Sequence, residues 1–120
     1  MRDRLTDVDF DDRDDGVVVA RITGEVDGSN AVELGRALGE RLPSSAHGLV
    51  VDLSAVAYLD SAGIELLFGL ARRLGDRRQR LGLCVPTGSP VRRVLEICDI
   101  TSVAPMEESP DAAAQIIASD

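Results

Sequence analysis

At 120 residues the chain has room for one domain around a single core, and at 44% hydrophobic and 28% charged it reads as globular rather than disordered. Thirteen Lys and Arg against twenty-one Asp and Glu give a formal charge of −8, which repels nucleic-acid phosphates and anionic lipid surfaces alike. Aromatics are only 2%, with no Trp, so the core must be aliphatic and base-stacking platforms are essentially missing.

The first sixteen residues hold seven aspartates, Asp3, Asp7, Asp9, Asp11, Asp12, Asp14 and Asp15. Leu5, Val8 and Phe10 are their only large apolar residues, and they predict a short exposed edge strand near residues 4–10. Its charges discourage edge-to-edge pairing. Asp15-Gly16 signals a turn, and the β-branched run Val17–Thr23 completes a hairpin. After Gly24-Glu25-Val26-Asp27-Gly28 the spacing becomes helical, with Ala31, Leu34, Leu38 and Leu42 on one stripe. Asn30 and Glu33 have the spacing of a cap and its third-position partner. Pro43 and the serines after it end that helix.

Gly48–Leu53 is a short apolar run, read as a strand buried on both faces. Beyond it the pattern predicts a helix over about 61–75, a strand about 80–85, a helix about 90–98, a strand near 101–104 and a helix about 110–118. Ser89-Pro90 and Ser109-Pro110 both resemble a helix cap followed by proline at the first helical position. Alternating strands and helices imply parallel pairing through right-handed crossovers. The expectation is an α/β fold: a mixed, mostly parallel sheet of about five strands, an antiparallel hairpin in front, and about four flanking helices. One domain spans 1–120, with an acidic front over 1–16 and a core over about 17–118.

The opening Met1–Asp7 offers no apolar stretch for a signal peptide, and no run approaches the roughly 18 apolar residues of a membrane span. A cytoplasmic protein is expected. Cys84 and Cys98 lie in apolar segments and are expected to be reduced thiols. With one distant histidine, His47, they do not form a structural zinc site. Neither a metal nor an organic cofactor is expected. All basic residues are arginine, and only Arg72, Arg73, Arg77, Arg78 and Arg80 cluster, as a helix end and its following turn. No nucleic-acid partner and no membrane insertion are expected.

The most informative stretch runs from Val50-Val51-Asp52-Leu53 through Tyr58-Leu59-Asp60-Ser61-Ala62-Gly63. A buried strand ends, a short connection turns, and Asp60-Ser61 opens a helix. Ser61 is expected among unpaired backbone N–H groups at the positive end of the helix dipole. At about 100° per residue, the apolar residues from Ile64 to Leu74 fill an arc of about 200°. Ser61, Glu65, Gly69, Arg72 and Arg73 share the narrow remainder, with Phe68 at the arc's edge on nearly the Ser61 side.

Together with Thr23-Gly24-Glu25-Val26-Asp27 and with Val91-Arg92-Arg93-Val94-Leu95 after Ser89-Pro90, these segments resemble the STAS domain family, and within it the bacterial anti-sigma factor antagonists. The resemblance covers about residues 5–118 and lies in the order and spacing of the motifs, since Asp-Ser-Ala-Gly alone is weak. It implies that Ser61 is phosphorylated by a partner anti-sigma factor that is also a serine kinase. It further implies that the unphosphorylated form binds this partner and releases a sigma factor, as in stress-response or sporulation control. Asp60 matches the aspartate beside the phosphorylated serine, and Asp27 the acidic residue of the Gly-Glu-Leu-Asp type motif. Val26 stands in place of the commoner leucine, and Ala62 where some members have a second serine. The partner-binding surface is expected around Asp27, Asp60, Ser61, Glu65 and Phe68.

Plainer readings stand beside these. Ser61 or Asp60 could serve only as a helix cap, Asp27 could merely precede a helix, and Phe68 could pack under a loop. An intrinsic enzyme is disfavoured, because His47 lies before Gly48–Leu53 and so at the far end of the strand from Ser61. Neither a Gly-x-Ser-x-Gly elbow nor a phosphate-cradling glycine loop is present. The alternative within the same fold is a STAS subunit of a lipid ABC transporter or a stress-signalling scaffold.

Overall fold

The computed structural model describes residues 6–119. Strand β1 (Thr6–Asp12) and strand β2 (Val17–Val26) form the expected antiparallel hairpin, with Val8 opposite Ile22 and Phe10 opposite Ala20. Residues 4 and 5 of the expected edge strand lie outside the described residues. Helix α1 (Ala31–Arg41) crosses to strand β3 (Gly48–Leu59), and helix α2 (Ser61–Asp76) crosses to strand β4 (Arg80–Cys84). Helix α3 (Arg92–Ile97), a 3₁₀ turn (Ile100–Ser102), strand β5 (Met106–Glu107) and helix α4 (Pro110–Ala118) complete the chain. The strands lie in the order β1-β2-β3-β4-β5, parallel from β2 onward.

Alternation along the strands divides the interior into two layers. Val18, Ala20 and Ile22 of β2, with Leu49, Val51 and Leu53 of β3, face α1 and α2 and make the larger core. Val17, Val19 and Val50 point the other way, onto Ala113, Ala114 and Ile117 of α4. That helix lies close to the sheet because β4 offers it Gly82, where a Cβ would stand 2.6 Å from Ile117 Cδ1. Ser109 caps α4 as expected, its Oγ accepting the Ala112 N–H at 3.1 Å with Pro110 at the first position.

Four expectations need correction. Strand β3 runs to Leu59 instead of ending at Leu53. Its second half pairs with β2 through two register shifts, so its buried residues Leu53, Val56 and Leu59 recur at three rather than two. That spacing does not read as a strand. The expected strand near 101–104 is a 3₁₀ turn followed by β5 at Met106–Glu107. Ile100 and Ala104 are both buried four residues apart, which is a helical spacing carried by a β-branched composition. Helix α3 starts at Arg92 rather than at Pro90, and the Ser89 hydroxyl accepts only the Val91 N–H, at 3.3 Å. The Asn30 side chain caps nothing at α1, and its actual partners belong to the site.

Candidate functional site

Two turns meet where β2 and β3 end. At the end of β3, Asp60 is the cap of α2: its Oδ1 accepts the N–H of Ala62 at 2.9 Å and of Gly63 at 3.2 Å. Ser61 is therefore the first residue of the helix rather than its cap. It is exposed, and its hydroxyl has no hydrogen-bond partner among the described residues. The expectation of free amides around Ser61 is corrected in the same way, since Asp60 already occupies the next two.

At the end of β2, Asp27 holds the turn that leads into α1. Its carbonyl accepts the N–H of Asn30 at 3.1 Å and of Ala31 at 2.9 Å, so the first helical turn winds from Asp27. Its Oδ1 accepts the Ser29 N–H at 2.9 Å and the Ser29 hydroxyl at 2.6 Å. Asn30 Oδ1 in turn accepts the Asp27 N–H at 3.0 Å. Asn30 thus returns a bond to the Asp27 N–H as the third residue of a capping box does, but the Asp27 carboxylate holds the Ser29 amide rather than that of Asn30. The Ser29 hydroxyl and amide hold the Asp27 carboxyl below the usual carboxylate range.

The two turns touch. Asp60 N–H donates to the Val26 carbonyl at 3.3 Å. A Cβ on Gly63 would stand 3.1 Å from that carbonyl oxygen and 2.4 Å from Leu59 Cδ1. Glycine in the Asp-Ser-Ala-Gly segment is thus explained by the close approach of the first turn of α2 to the end of β2. Each carboxylate uses only Oδ1, leaving Oδ2 of Asp27 and of Asp60 without a partner among the described residues.

Glu65 is exposed one turn after Ser61, on the wall of a groove between α1 and α2. Ala31, Gly35, Leu66 and Gly69 also line this groove. Phe68 is half-buried and packs against the larger core, so it is not a free-standing anchor. Among the described residues the most exposed large apolar side chain is Val32 on the opposite wall, at 86% of its surface. Sequence reasoning missed Val32, although a signal was present: an apolar β-branched residue off the Ala31-Leu34-Leu38 stripe has no core to face.

His47 precedes β3, its N–H bonded to Gly16 O at 2.8 Å. The strand's length puts it on the order of 35 Å from Ser61, too far to act as a base there. Among the described residues no group of three or more His, Cys, Asp or Glu side chains is placed to hold a metal ion. Among them, too, no helix is long and apolar enough to cross a membrane.

This arrangement, a mixed sheet with two helix-opening turns converging beside an exposed serine, has known counterparts. The STAS domain family model matches residues 11–113, and the chain belongs to that family. It is 37% identical over 82 residues to the anti-sigma-F factor antagonist RsfB of Mycobacterium tuberculosis, covering 68% of this chain and 66% of that one. It is 32% identical over 103 residues to BtrV of Bordetella bronchiseptica, provisionally named an anti-sigma factor antagonist, covering 86% and 88% of the two chains. The crystal structure of an anti-sigma factor antagonist from Mycobacterium paratuberculosis superposes with a TM-score of 0.83 over 95% of each chain, at 29% identity.

Proposed function

We propose that this chain is an anti-sigma factor antagonist that acts by binding rather than by catalysis. In its unmodified form it docks an anti-sigma factor on the surface of Asp27, Asp60, Ser61, Glu65 and the outer edge of Phe68, with Val32 across the groove, and so frees a sigma factor. Phosphorylation of Ser61 by that partner, acting as a serine kinase, switches docking off. ATP and Mg²⁺ belong to the kinase, the antagonist needs no cofactor of its own, and the exchange takes place in the cytoplasm.

The observation that carries this reading is the Ser61 hydroxyl: exposed, unpartnered and set at the first position of α2 by the Asp60 cap. A serine serving only as a cap would spend its oxygen on the N–H groups that Asp60 takes instead. The names of the relatives support the partner class. The unused Oδ2 atoms of Asp27 and Asp60 suit a basic side chain on the partner.

Phosphate adds about −1.5 to −2 charges at pH 7. Because Asp60 holds the Ala62 and Gly63 amides, the phosphate faces a carboxylate instead of a vacant helix terminus. It must share those amides or point to solvent, and either way its charge lies among the oxygens offered to the partner. The test is calorimetric titration of the anti-sigma factor with enzymatically phosphorylated and with unmodified protein. Binding of the unmodified form alone is expected; equal affinities would return Ser61 to a structural role.

A further inference from the structure

Asn30 does more than return a bond to the Asp27 N–H. While its Oδ1 accepts the Asp27 N–H at 3.0 Å, its Nδ2 donates to the Glu25 carbonyl at 2.9 Å. The second bond has no part in capping. It reaches back past the cap into the last residues of β2, where the pairing with β3 shifts register between Gly24 and Glu25. Beyond that shift only two pairs remain, Glu25 with Tyr58 and Val26 with Leu59, before the chain leaves the ladder.

The residue between the two gripped positions is Val26. Its carbonyl receives the Asp60 N–H and lies against Gly63, so it is the joint between the turn of Asp27 and the turn of Ser61. One amide side chain thus fixes the backbone on both sides of that joint. We propose that Asn30 is a positioning residue for the docking surface, setting Asp27 relative to Asp60 and Ser61. This rests on the docking role given above to Asp27 and Asp60.

Asparagine suits the task because it presents an acceptor and a donor together. Asn30→Asp separates the two roles. It keeps an acceptor for the Asp27 N–H, and a carboxylate beside the start of α1 is favourable, so that bond survives. It loses the donor to Glu25 and sets an anion against that carbonyl. A residue that only held the Asp27 amide would tolerate this change.

The experiment compares wild type, Asn30→Asp and Asn30→Ala by amide NMR, melting temperature and titration with the anti-sigma factor that binds the unmodified protein. Asn30→Asp is expected to melt close to wild type, to shift the amide resonances of Val26, Asp27 and Asp60, and to bind about tenfold or more weakly. Asn30→Ala is expected to show the same losses with a lower melting temperature. Wild-type affinity together with unmoved Val26 and Asp60 amides in Asn30→Asp would overturn the proposal, and so would displaced amides with wild-type affinity. If no anti-sigma factor binds the wild type, the docking role itself fails; the amide positions then decide separately whether Asn30 sets the two turns.

Discussion

Two glycines on one helix are expected to respond in opposite directions to the same substitution. In an open helix interior, Gly→Ala gains up to about 1 kcal/mol from backbone entropy. At Gly69 an added Cβ would meet only Arg72 Nη2, at 3.9 Å, so nearly all of that gain should be realised. At Gly63 the Cβ would stand 2.4 Å from Leu59 Cδ1, 3.0 Å from Leu59 Cγ and 3.1 Å from the Val26 oxygen. Leu59 is only 7% exposed and has little room to withdraw, and the carbonyl is held by Asp60. Overpacking of this kind costs about 1–3 kcal/mol, which outweighs the propensity gain. Gly63→Ala should therefore lose about 1–2 kcal/mol net, and Gly69→Ala should gain a fraction of 1 kcal/mol. For a chain of this size each 1 kcal/mol moves Tm by about 3–5 °C. Thermal and urea unfolding followed by circular dichroism would resolve both shifts. A Gly63→Ala protein as stable as wild type would refute the close approach of α2 to the end of β2.

Asp60→Ala should lose both cap bonds and about 0.5–2 kcal/mol, whereas Asp60→Asn keeps an acceptor and should unfold near wild type while binding the anti-sigma factor less tightly. Because hydrogen bonds from Ser29 depress the Asp27 pKa, the stability they contribute is present above the unfolded value, about 3.9, and fades as pH falls through the lower folded one. Ser29→Ala should move the Asp27 carboxyl titration to higher pH, as read by carbon NMR; an unmoved titration would discard that cause. Val32→Ser should leave Tm unchanged and weaken docking by about 1–3 kcal/mol, while Phe68→Ala, partly in the core, should lower Tm as well; the reverse pattern in paired melting and titration experiments would exchange their roles. Burial pushes the Cys84 thiol up to about 12, so iodoacetamide at pH 8 should modify the half-exposed Cys98 first, and mass spectrometry finding Cys84 equally labelled would contradict that burial.

The hairpin, the alternation and the four helices were legible because each rests on a local period or a turn signal. Leu34, Leu38 and Leu42 repeat as a helix does, and Ser109-Pro110 marks a start that Ser109 does cap. What escaped was set by pairing between segments. The second half of β3 is a strand only because two register shifts let it follow β2. The Asn30 side chain does not cap α1 because it is engaged instead with the Asp27 N–H and the Glu25 carbonyl. Within the candidate site, Ser61 stood out from the Asp60-Ser61 helix start, whereas the roles expected of Asp60 and Asp27 came from the family resemblance. That Asp60 caps α2, that Asp27 holds the turn before α1 and that the serine is left unengaged needed the hydrogen bonds themselves.

Strand β3 has a consequence for how motion is distributed in this protein. From Gly48 to Asp52 it is flanked by β2 and β4, but from Leu53 to Leu59 it is laddered to β2 alone. Opening free energy should therefore fall along the strand, from a base that opens only with the whole domain to an end that can breathe locally. Ser61 sits just beyond the looser end. On the proposed switch, Ser61 and the first turn of α2 would come outward to a modifying enzyme at modest cost, while the layer beneath α4 stays folded.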